Sequence, residues 1–304
     1  MCCLFGIIDY KKYLSKKQIN KIISTLSVAC EARGTDATGI AYNQKDKLCI
    51  YKRPLPAHKM HFYIPNGVHT VMGHTRMTTQ GNEKKNYNNH PFLGNTNRGE
   101  FVLAHNGVLY NDAELQQIEK LPETKIETDS YVAVQLIEKY GNSDFDGLKY
   151  MAEMLEGTFT LTIMDRENNI YFIKGDNPMC IYHYKEMGVY IYASTEEILK
   201  SALRRLPYNI GKYTKVDIIC GTILKIDNHG KQSSIDFKFT HPMKYYSPYS
   251  WWDTHYYRKT TDNNEYIKEL KSVASIFGYS PELIDYLLEE GYTTDDVEEM
   301  LYCG

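Results

Sequence analysis

Two cysteines stand directly after the first methionine, and the earlier of them is a candidate nucleophile. Removal of Met1 would give Cys2 both a thiol and a free α-amine. An α-amine has a pKa of about 7.7–8, so it can take up the thiol proton at neutral pH. One residue would then hold nucleophile and base together, as in N-terminal nucleophiles. The alternative interpretation of a Met-Cys start is a buried structural cysteine on an apolar strand.

Four later segments carry polar residues suited to chemistry at an amide. In chain order they are Ala32–Ala41 (ARGTDATGIA), Gly73–Gly81 (GHTRMTTQG), Ala104–Leu109 (AHNGVL) and Thr128–Ser130 (TDS). Taken singly, Arg76 or Asp129 is more often a surface or paired charge. Asn106-Gly107 by itself indicates first of all a turn. The ordered occurrence of all four segments argues against these separate explanations.

With Cys2–Ile7 (CCLFGI), these segments resemble the class II glutamine amidotransferases, and Asn89-His90-Pro91 fits a loop of that family. The resemblance runs from about Cys2 to Ala202. It implies an α+β fold, the four-layer αββα sandwich of N-terminal-nucleophile type. It also implies an enzyme that hydrolyses the side-chain amide of glutamine through a γ-glutamyl thioester.

The resemblance assigns catalytic roles to three residues. Cys2 is the expected nucleophile, and its attack on the amide creates a tetrahedral oxyanion that needs donors already aimed at it. The family's oxyanion hole corresponds to the side-chain amide of Asn106 and the backbone N–H of Gly107. Arg33 is expected to support the N-terminus rather than to act on the substrate.

Three further residues are expected to bind the substrate, which is glutamine. Arg76 supplies a planar, permanently charged fork for the substrate carboxylate, and Thr79 can add a hydroxyl donor to that carboxylate. Asp129 is the carboxylate expected at the α-ammonium group. The histidines of these motifs are expected to be structural or to order loops: His74, His90 and His105.

The sequence departs from the family pattern at Cys3, where glycine is usual. Side chains alternate across a strand, so Cys3 is expected to face away from Cys2, which remains the predicted nucleophile. Met77 and Gln80 replace a tryptophan and a histidine of the sugar-synthase branch. The coupling mechanism of that branch is therefore not carried over to this chain.

Hydrophobic periodicity predicts the elements that position these residues. The predicted helices are Lys16–Ala32, Asp129–Tyr140, Asp146–Leu155 and Glu196–Leu206. The predicted strands are Leu4–Ile8, Gly39–Tyr42, Leu48–Lys52, Val68–Gly73, Phe101–Ala104, Thr158–Asp165, Ile170–Lys174, Cys180–Tyr184 and Val189–Ala193, with more β structure up to about Phe239. Thr78–Arg98 is predicted to be a long loop. Several neighbouring strands form hairpins, which indicates two largely antiparallel sheets with helices outside.

The predicted glutaminase domain spans residues 2–240. Residues 241–262 are rich in aromatic side chains and form a predicted strap or linker, or alternatively an exposed partner site. Residues 263–304 are predicted to form a module of three helices: Tyr266–Phe277, Ser280–Glu290 and Thr294–Tyr302. The module weakly resembles ubiquitin-associated domains, and the alternative is a helical cap on the main domain.

Composition limits the other functions. The net charge is -3, so the chain has no basic footprint for nucleic acid or anionic membranes. No apolar run is long enough for a membrane span. Seven scattered cysteines without a CxxC pair indicate a reducing compartment, with no disulfide framework and no zinc site. We expect a cytoplasmic protein without cofactor or metal.

The destination of the ammonia is not evident from the sequence. About 65 residues follow the predicted glutaminase part, fewer than a typical catalytic domain contains, and no phosphate-binding loop is found. The sequence therefore favours a separate synthase or ligase subunit as acceptor. Two alternatives remain: a stand-alone hydrolase of another γ-glutamyl amide, and a non-catalytic binding or regulatory relative.

Overall fold

A computed structural model describes residues 2–45, 47–240 and 279–290, with isolated positions 267, 270, 271, 274, 275, 292, 297 and 300. The chain divides into two compact units, residues 1–241 and 242–304. The predicted aromatic strap at 241–262 lies outside the described residues, so it stays a prediction.

The first unit contains two sheets. Their strands are β1 Cys3–Asp9, β2 Ala37–Gln44, β3 Lys47–Arg53, β4 Thr70–Arg76, β5 Phe92–Thr96, β6 Gly99–Leu109, β7 Gly157–Asp165, β8 Ile170–Lys174, β9 Cys180–Tyr184, β10 Val189–Ala193, β11 Thr214–Val216, β12 Thr222–Ile226 and β13 Gln232–Asp236. The first sheet has the order β11-β9-β10-β1-β4-β2-β3, and the second has the order β13-β12-β8-β7-β6-β5. All their pairings are antiparallel, as predicted.

Helices cover the outer face of each sheet. They are α1 Lys16–Ala29, α2 Asp112–Ile118, α3 Tyr131–Tyr140, α4 Phe145–Met154 and α5 Glu196–Arg204, and α6 Pro281–Glu289 belongs to the second unit. Helices α1 and α5 pack together against the first sheet, and α3 and α4 pack together against the second. The predicted αββα sandwich is confirmed.

The alternation of β1 explains how the layers pack. Its residues Leu4 and Ile8 belong to a buried cluster with Val102 and Phe172 of the second sheet, so they face the space between the sheets. The side chain of Cys3 points the other way and meets Cys30 at the end of α1. A fully buried strand of this kind reads as a near-continuous apolar run, which the sequence shows.

Two elements of the first unit were not predicted. Strand β5 lies within the segment predicted to be a loop, because Phe92 and Gly94 are buried beside β6 while Leu93 and Asn95 are exposed. Helix α2 buries only Leu115, so it lacks the apolar stripe from which a helix is predicted. Both elements are stabilised chiefly by tertiary contact rather than by local pattern.

In the second unit, α6 follows Ser280 and begins with Pro281, as predicted. Ile284 is buried with Leu270, Ala274 and Val297. The two other predicted helices are described at isolated positions alone, so the three-helix module stays a prediction. Among the helices that the structure describes, none is long and apolar enough to span a membrane.

Candidate active site

Cys2 lies immediately before β1, and its thiol is half-buried with Sγ 3.5 Å from the carbonyl oxygen of Met77. Burial raises the pKa of the Cys2 thiol, since the thiolate loses solvation. The positive charge of Arg76 lowers that pKa and the negative charge of Asp129 raises it. The fold therefore brings both predicted substrate-binding charges to the predicted nucleophile.

Arg33 holds the backbone of the nucleophile. It lies just after the 3₁₀ turn Cys30–Ala32 that ends α1, and it is 4 % exposed. Its Nε donates a hydrogen bond of 3.0 Å to the carbonyl oxygen of Cys2. This contact is what a supporting role near the N-terminus requires.

Arg76 is the last residue of β4, where the chain leaves the first sheet. Its Nη1 donates to Oδ1 of Asn89 over 2.7 Å, and its Nη2 donates to the carbonyl oxygen of Gln80 over 2.5 Å. These contacts fix the guanidinium beside the loop that follows. Thr79 is exposed in the same loop, so its hydroxyl is accessible to a ligand.

Asn89 is held in turn by a partly buried lysine. Lys52 of β3 donates from Nζ to the carbonyl oxygens of Asn89 and Pro91, the second over 2.9 Å. Burial and the nearby charge of Arg76 lower the pKa of Lys52 to about 8. Neither Asn89 nor Lys52 was predicted as a site residue, because their contacts form only when the loop returns to the sheet edge.

Asn106 and Gly107 belong to β6 of the second sheet. One hydrogen bond between the sheets holds this part of β6 beside β4 of the first sheet. Thr75 of β4 pairs with Cys3, and the adjacent His74 donates from Nε2 to the carbonyl oxygen of His105 over 2.9 Å. His105 precedes Asn106 in the chain. The two sheets are therefore joined next to the nucleophile on one side and next to the predicted oxyanion donors on the other.

The side chain of Asn106 is fully buried, yet neither its Nδ2 nor its Oδ1 has a hydrogen-bond partner among the described residues. An unpaired buried amide is costly and rare in folded proteins. Gly107 adopts a φ of 142°, and a Cβ there would lie 1.9 Å from the carbonyl oxygen of Thr158. Glycine is required at this position by both conformation and space.

Asp129 precedes α3 and is buried. Its Oδ2 accepts a hydrogen bond from the backbone N–H of Leu109 over 2.7 Å, and its Oδ1 accepts one from the Ser130 hydroxyl over 3.2 Å. Ser130 Oγ also lies 2.8 Å from Nδ1 of His105. Asp129 is thus held at the end of β6, by a residue two positions beyond Gly107.

The histidines of the motifs form a buried group behind the site. The rings of His74 and His90 lie 4.3 Å apart, and His90 lies 4.4 Å from the ring of Phe92. Burial lowers the pKa of His74 to about 3 and that of His90 well below its ordinary value. They are neutral packing groups at physiological pH.

A cleft of about 530 Å³ opens at Asp129, and its wall also includes Gln80 and Thr128. The face of Asp129 is therefore open to a polar ligand of the size of an amino acid. The thiol of Cys2, the charges of Arg76 and Asp129 that act on it, and the unpaired amide of Asn106 are groups suited to covalent chemistry on a zwitterionic amide.

Residues 74–201 match a protein-family model described as a glutamine amidotransferase domain. Among curated proteins, 7-cyano-7-deazaguanine synthase of Sulfolobus acidocaldarius is 26% identical over 207 residues, which cover 65% of this chain and 44% of that protein. Glutamine–fructose-6-phosphate aminotransferase of the same organism is 31% identical over 196 residues, covering 60% of this chain and 31% of that protein. The match thus spans less than half the length of these relatives.

Among solved structures, glutamine phosphoribosylpyrophosphate amidotransferase from B. subtilis superposes with a TM-score of 0.62 at 23% identity, covering 79% of this chain and 50% of that one. A second structure, described as the allosteric regulatory enzyme of purine biosynthesis, gives a TM-score of 0.63 with the same identity and coverage. Residues 74–201 thus carry a glutamine amidotransferase domain, and the first unit of the chain has the N-terminal-nucleophile fold.

Proposed function

We propose that this chain hydrolyses the side-chain amide of glutamine, with Cys2 as nucleophile after removal of Met1. The observation that carries the proposal is the unpaired amide of Asn106, which is fully buried in β6. The preceding residue, His105, is joined by a hydrogen bond to His74 of β4, the strand that pairs with β1. The Asn106 amide is costly in the resting protein. It is accounted for if its Nδ2 donates to an oxyanion that forms only during the reaction.

The charges around Cys2 match the two ends of glutamine. The guanidinium of Arg76 and the hydroxyl of Thr79 bind the α-carboxylate, and the carboxylate of Asp129 binds the α-ammonium. Both charged residues act electrostatically on the Cys2 thiol, so a substrate bound between them has its side chain near the sulfur. Attack by the half-buried thiol then requires that the amide carbon of the substrate lie in contact with the sulfur.

The chemistry proceeds in two steps. The α-amine of Cys2 takes the thiol proton, and the sulfur attacks the amide carbon to give an oxyanion, which Asn106 Nδ2 and the Gly107 N–H stabilise. The proton passes to the leaving nitrogen, the C–N bond breaks, and ammonia departs from a γ-glutamyl thioester. Water then attacks the thioester carbon, and glutamate and the free thiol are released.

The ammonia is proposed to reach an acceptor on a separate synthase or ligase subunit. The relatives named above are a synthase and an aminotransferase, and the region shared with this chain covers less than half of each. The second unit, with its small core around Ile284, is a candidate for docking that subunit. A helical cap on the main domain is the competing role for this unit.

The test measures glutamate and ammonia released from glutamine by protein whose intact mass shows that Met1 is absent. Cys2→Ala is expected to abolish release. Cys3→Ala, which changes the neighbouring thiol on the opposite face, is the matched control and is expected to retain release.

Two outcomes would contradict the proposal. Processed protein that releases no glutamate, alone or with co-purified partners, would exclude the activity. Loss of release in Cys3→Ala with retention in Cys2→Ala would show that the wrong thiol was assigned. Faster hydrolysis of a γ-glutamyl amide other than glutamine would instead identify a stand-alone hydrolase of that amide.

A further inference from the structure

The thiol of Cys3, the residue after the proposed nucleophile, lies next to the thiol of Cys30. The Sγ atoms of Cys3 and Cys30 are 2.9 Å apart, and both side chains are fully buried. A disulfide bond is about 2.05 Å long, so the sulfur atoms need to approach by only about 0.9 Å to form one. The glutaminase chemistry proposed above uses neither thiol.

The backbone holds the two cysteines in this position from several sides. Cys3 pairs with Thr75 in the sheet, and the Thr75 hydroxyl donates to the carbonyl oxygen of Cys30 over 3.0 Å. The next residue of β1, Leu4, donates its N–H to Ser194 Oγ over 2.8 Å. The backbone segments that carry the two thiols are therefore held next to each other.

We propose that Cys3 and Cys30 form a redox modification site, at which an oxidant of the hydroperoxide class converts the two thiols into an intramolecular disulfide beside the nucleophile. This inference is independent of the proposed glutaminase activity. It concerns a covalent bond between two sulfur atoms that the sequence places 27 residues apart.

The local charges favour one reactive thiolate in the pair. Burial raises the pKa of Cys3, but the hydrogen bond between Cys3 and Cys30 and the charge of Arg33 outweigh burial and lower it overall. Burial raises the pKa of Cys30 well above its ordinary value, and the negative partner at Cys3 adds to this. Of the two thiols, Cys3 is thus the one that ionises more readily, and the thiolate is the form that oxidants attack.

The reaction balances in two steps. The Cys3 thiolate attacks one oxygen of hydrogen peroxide, the O–O bond breaks, and sulfenic acid and hydroxide form. The sulfur of Cys30 then attacks the Cys3 sulfur, the S–O bond breaks, and the departing hydroxide takes the Cys30 proton to become water. In sum, two thiols and one peroxide give one disulfide and two waters.

The burial of both thiols should slow their oxidation by peroxide. Because neither sulfur atom is exposed, peroxide must enter through local opening of the structure. The pair should therefore react more slowly than the exposed thiol of Cys220. The disulfide closes a loop that includes all of α1, so we expect the midpoint of thermal unfolding to rise by about 5–10 °C.

The test oxidises the full chain with hydrogen peroxide, blocks the remaining thiols with iodoacetamide, and maps tryptic peptides by mass spectrometry without reduction. Trypsin leaves Cys2 and Cys3 in one peptide, because no lysine or arginine precedes Lys11. Variants must therefore assign the bond. A peptide linked to Cys30 is expected in wild type and in Cys2→Ser, and it is expected to be absent in Cys3→Ser and Cys30→Ser.

Cys220→Ser is the matched control and should retain the linked peptide. The Cys2→Ser arm decides the outcome even if Cys3→Ser fails to fold, because Cys2→Ser leaves the pair untouched. Absence of the linked peptide in Cys2→Ser, even after exposure to peroxide continued well beyond complete oxidation of Cys220, would overturn the proposal. So would a linked peptide that persists in folded Cys3→Ser, since it would then involve the nucleophile.

Discussion

Arg76 donates a hydrogen bond of 2.7 Å to the side-chain oxygen of Asn89, which has no exposed surface. The residue proposed to bind the substrate carboxylate is thereby oriented by a residue from a loop thirteen positions further along the chain. Lys52 holds that loop through the carbonyl oxygen of Asn89. Substrate affinity should therefore depend on residues that do not touch the substrate.

The first prediction concerns Asn89→Ala. A hydrogen bond to a charged group contributes about 1.5–3 kcal/mol, so its loss should raise KM for glutamine by about tenfold or more. The kcat value should change less, because the nucleophile and the oxyanion donors are untouched. Steady-state kinetics over a range of glutamine concentrations measure both parameters.

Asn228→Ala is the control for this prediction, since Asn228 is an exposed asparagine that donates to the carbonyl oxygen of Glu167. It should leave both kinetic parameters unchanged. An Asn89→Ala enzyme with an unaltered KM would show that Arg76 keeps its position without this contact.

The second prediction separates the catalytic and structural effects of Asn106. In Asn106→Ala, kcat should fall by about 10²–10³, the usual effect of removing one oxyanion donor. The free energy of unfolding should change little, because the buried amide makes no hydrogen bond to the described residues. Denaturation by urea alongside single-turnover kinetics would test both parts. A large loss of stability with normal kcat would assign Asn106 to the core instead.

The third prediction concerns stability at acid pH. The pKa of His90 is lowered well below its ordinary value by burial, so the unfolded chain binds a proton below about pH 6.5 that the folded chain does not. The free energy of unfolding should therefore decrease as the pH falls from 6.5. The decrease should continue as the pH approaches 5, because protonation of His90 in the unfolded chain is not matched in the folded chain.

His90→Phe keeps an aromatic ring between His74 and Phe92 while removing the titrating group. Its loss of stability between pH 6.5 and 5, from urea unfolding, should be smaller than that of wild type. His229→Phe, at an exposed position, should follow wild type. Equal losses in wild type and His90→Phe would contradict the assignment.

The fourth prediction concerns Ser130, whose hydroxyl lies 3.2 Å from Oδ1 of Asp129 and 2.8 Å from Nδ1 of His105. Ser130→Ala should raise KM for glutamine several-fold, because the carboxylate proposed to bind the α-ammonium loses one of its two fixed contacts. Glutamine analogues that lack the α-ammonium group should show no such difference between the two proteins. Ser233→Ala, on the exposed strand β13, is the control. A uniform loss with every substrate would indicate a general structural defect.

Much of the fold follows from local pattern. The strands Ile170–Lys174, Cys180–Tyr184 and Val189–Ala193 occur as predicted, because short apolar runs are bounded by turn residues such as Asn168 and Gly188. Strand β5 could not be predicted in this way. Its central Gly94 and Asn95 disfavour a strand, and pairing with β6 provides the stabilisation.

In the candidate site too, some residues were predicted from their motifs and others depend on tertiary contacts. Cys2, Arg76 and Asp129 are far apart in sequence, and their motifs alone predicted that the fold would gather them around one thiol. Asn89 was identified only as part of a loop motif, since nothing in the adjacent sequence indicates that it accepts a hydrogen bond from Arg76. The Cys3–Cys30 contact was likewise not predicted. The alternation of β1 sets the face of Cys3, but only the packing of α1 brings Cys30 to it.

The central claim is that the Cys2 sulfur forms a thioester with the glutamyl group, and quenching the enzyme with acid during turnover tests it most directly. Intact mass spectrometry, followed by peptide mapping, locates any covalent adduct. We predict an adduct with the mass of glutamine less ammonia, on a peptide whose N-terminal residue is Cys2, and its absence in Cys2→Ala. An adduct on another residue, or turnover of glutamine without any adduct when deacylation is slowed, would contradict the account.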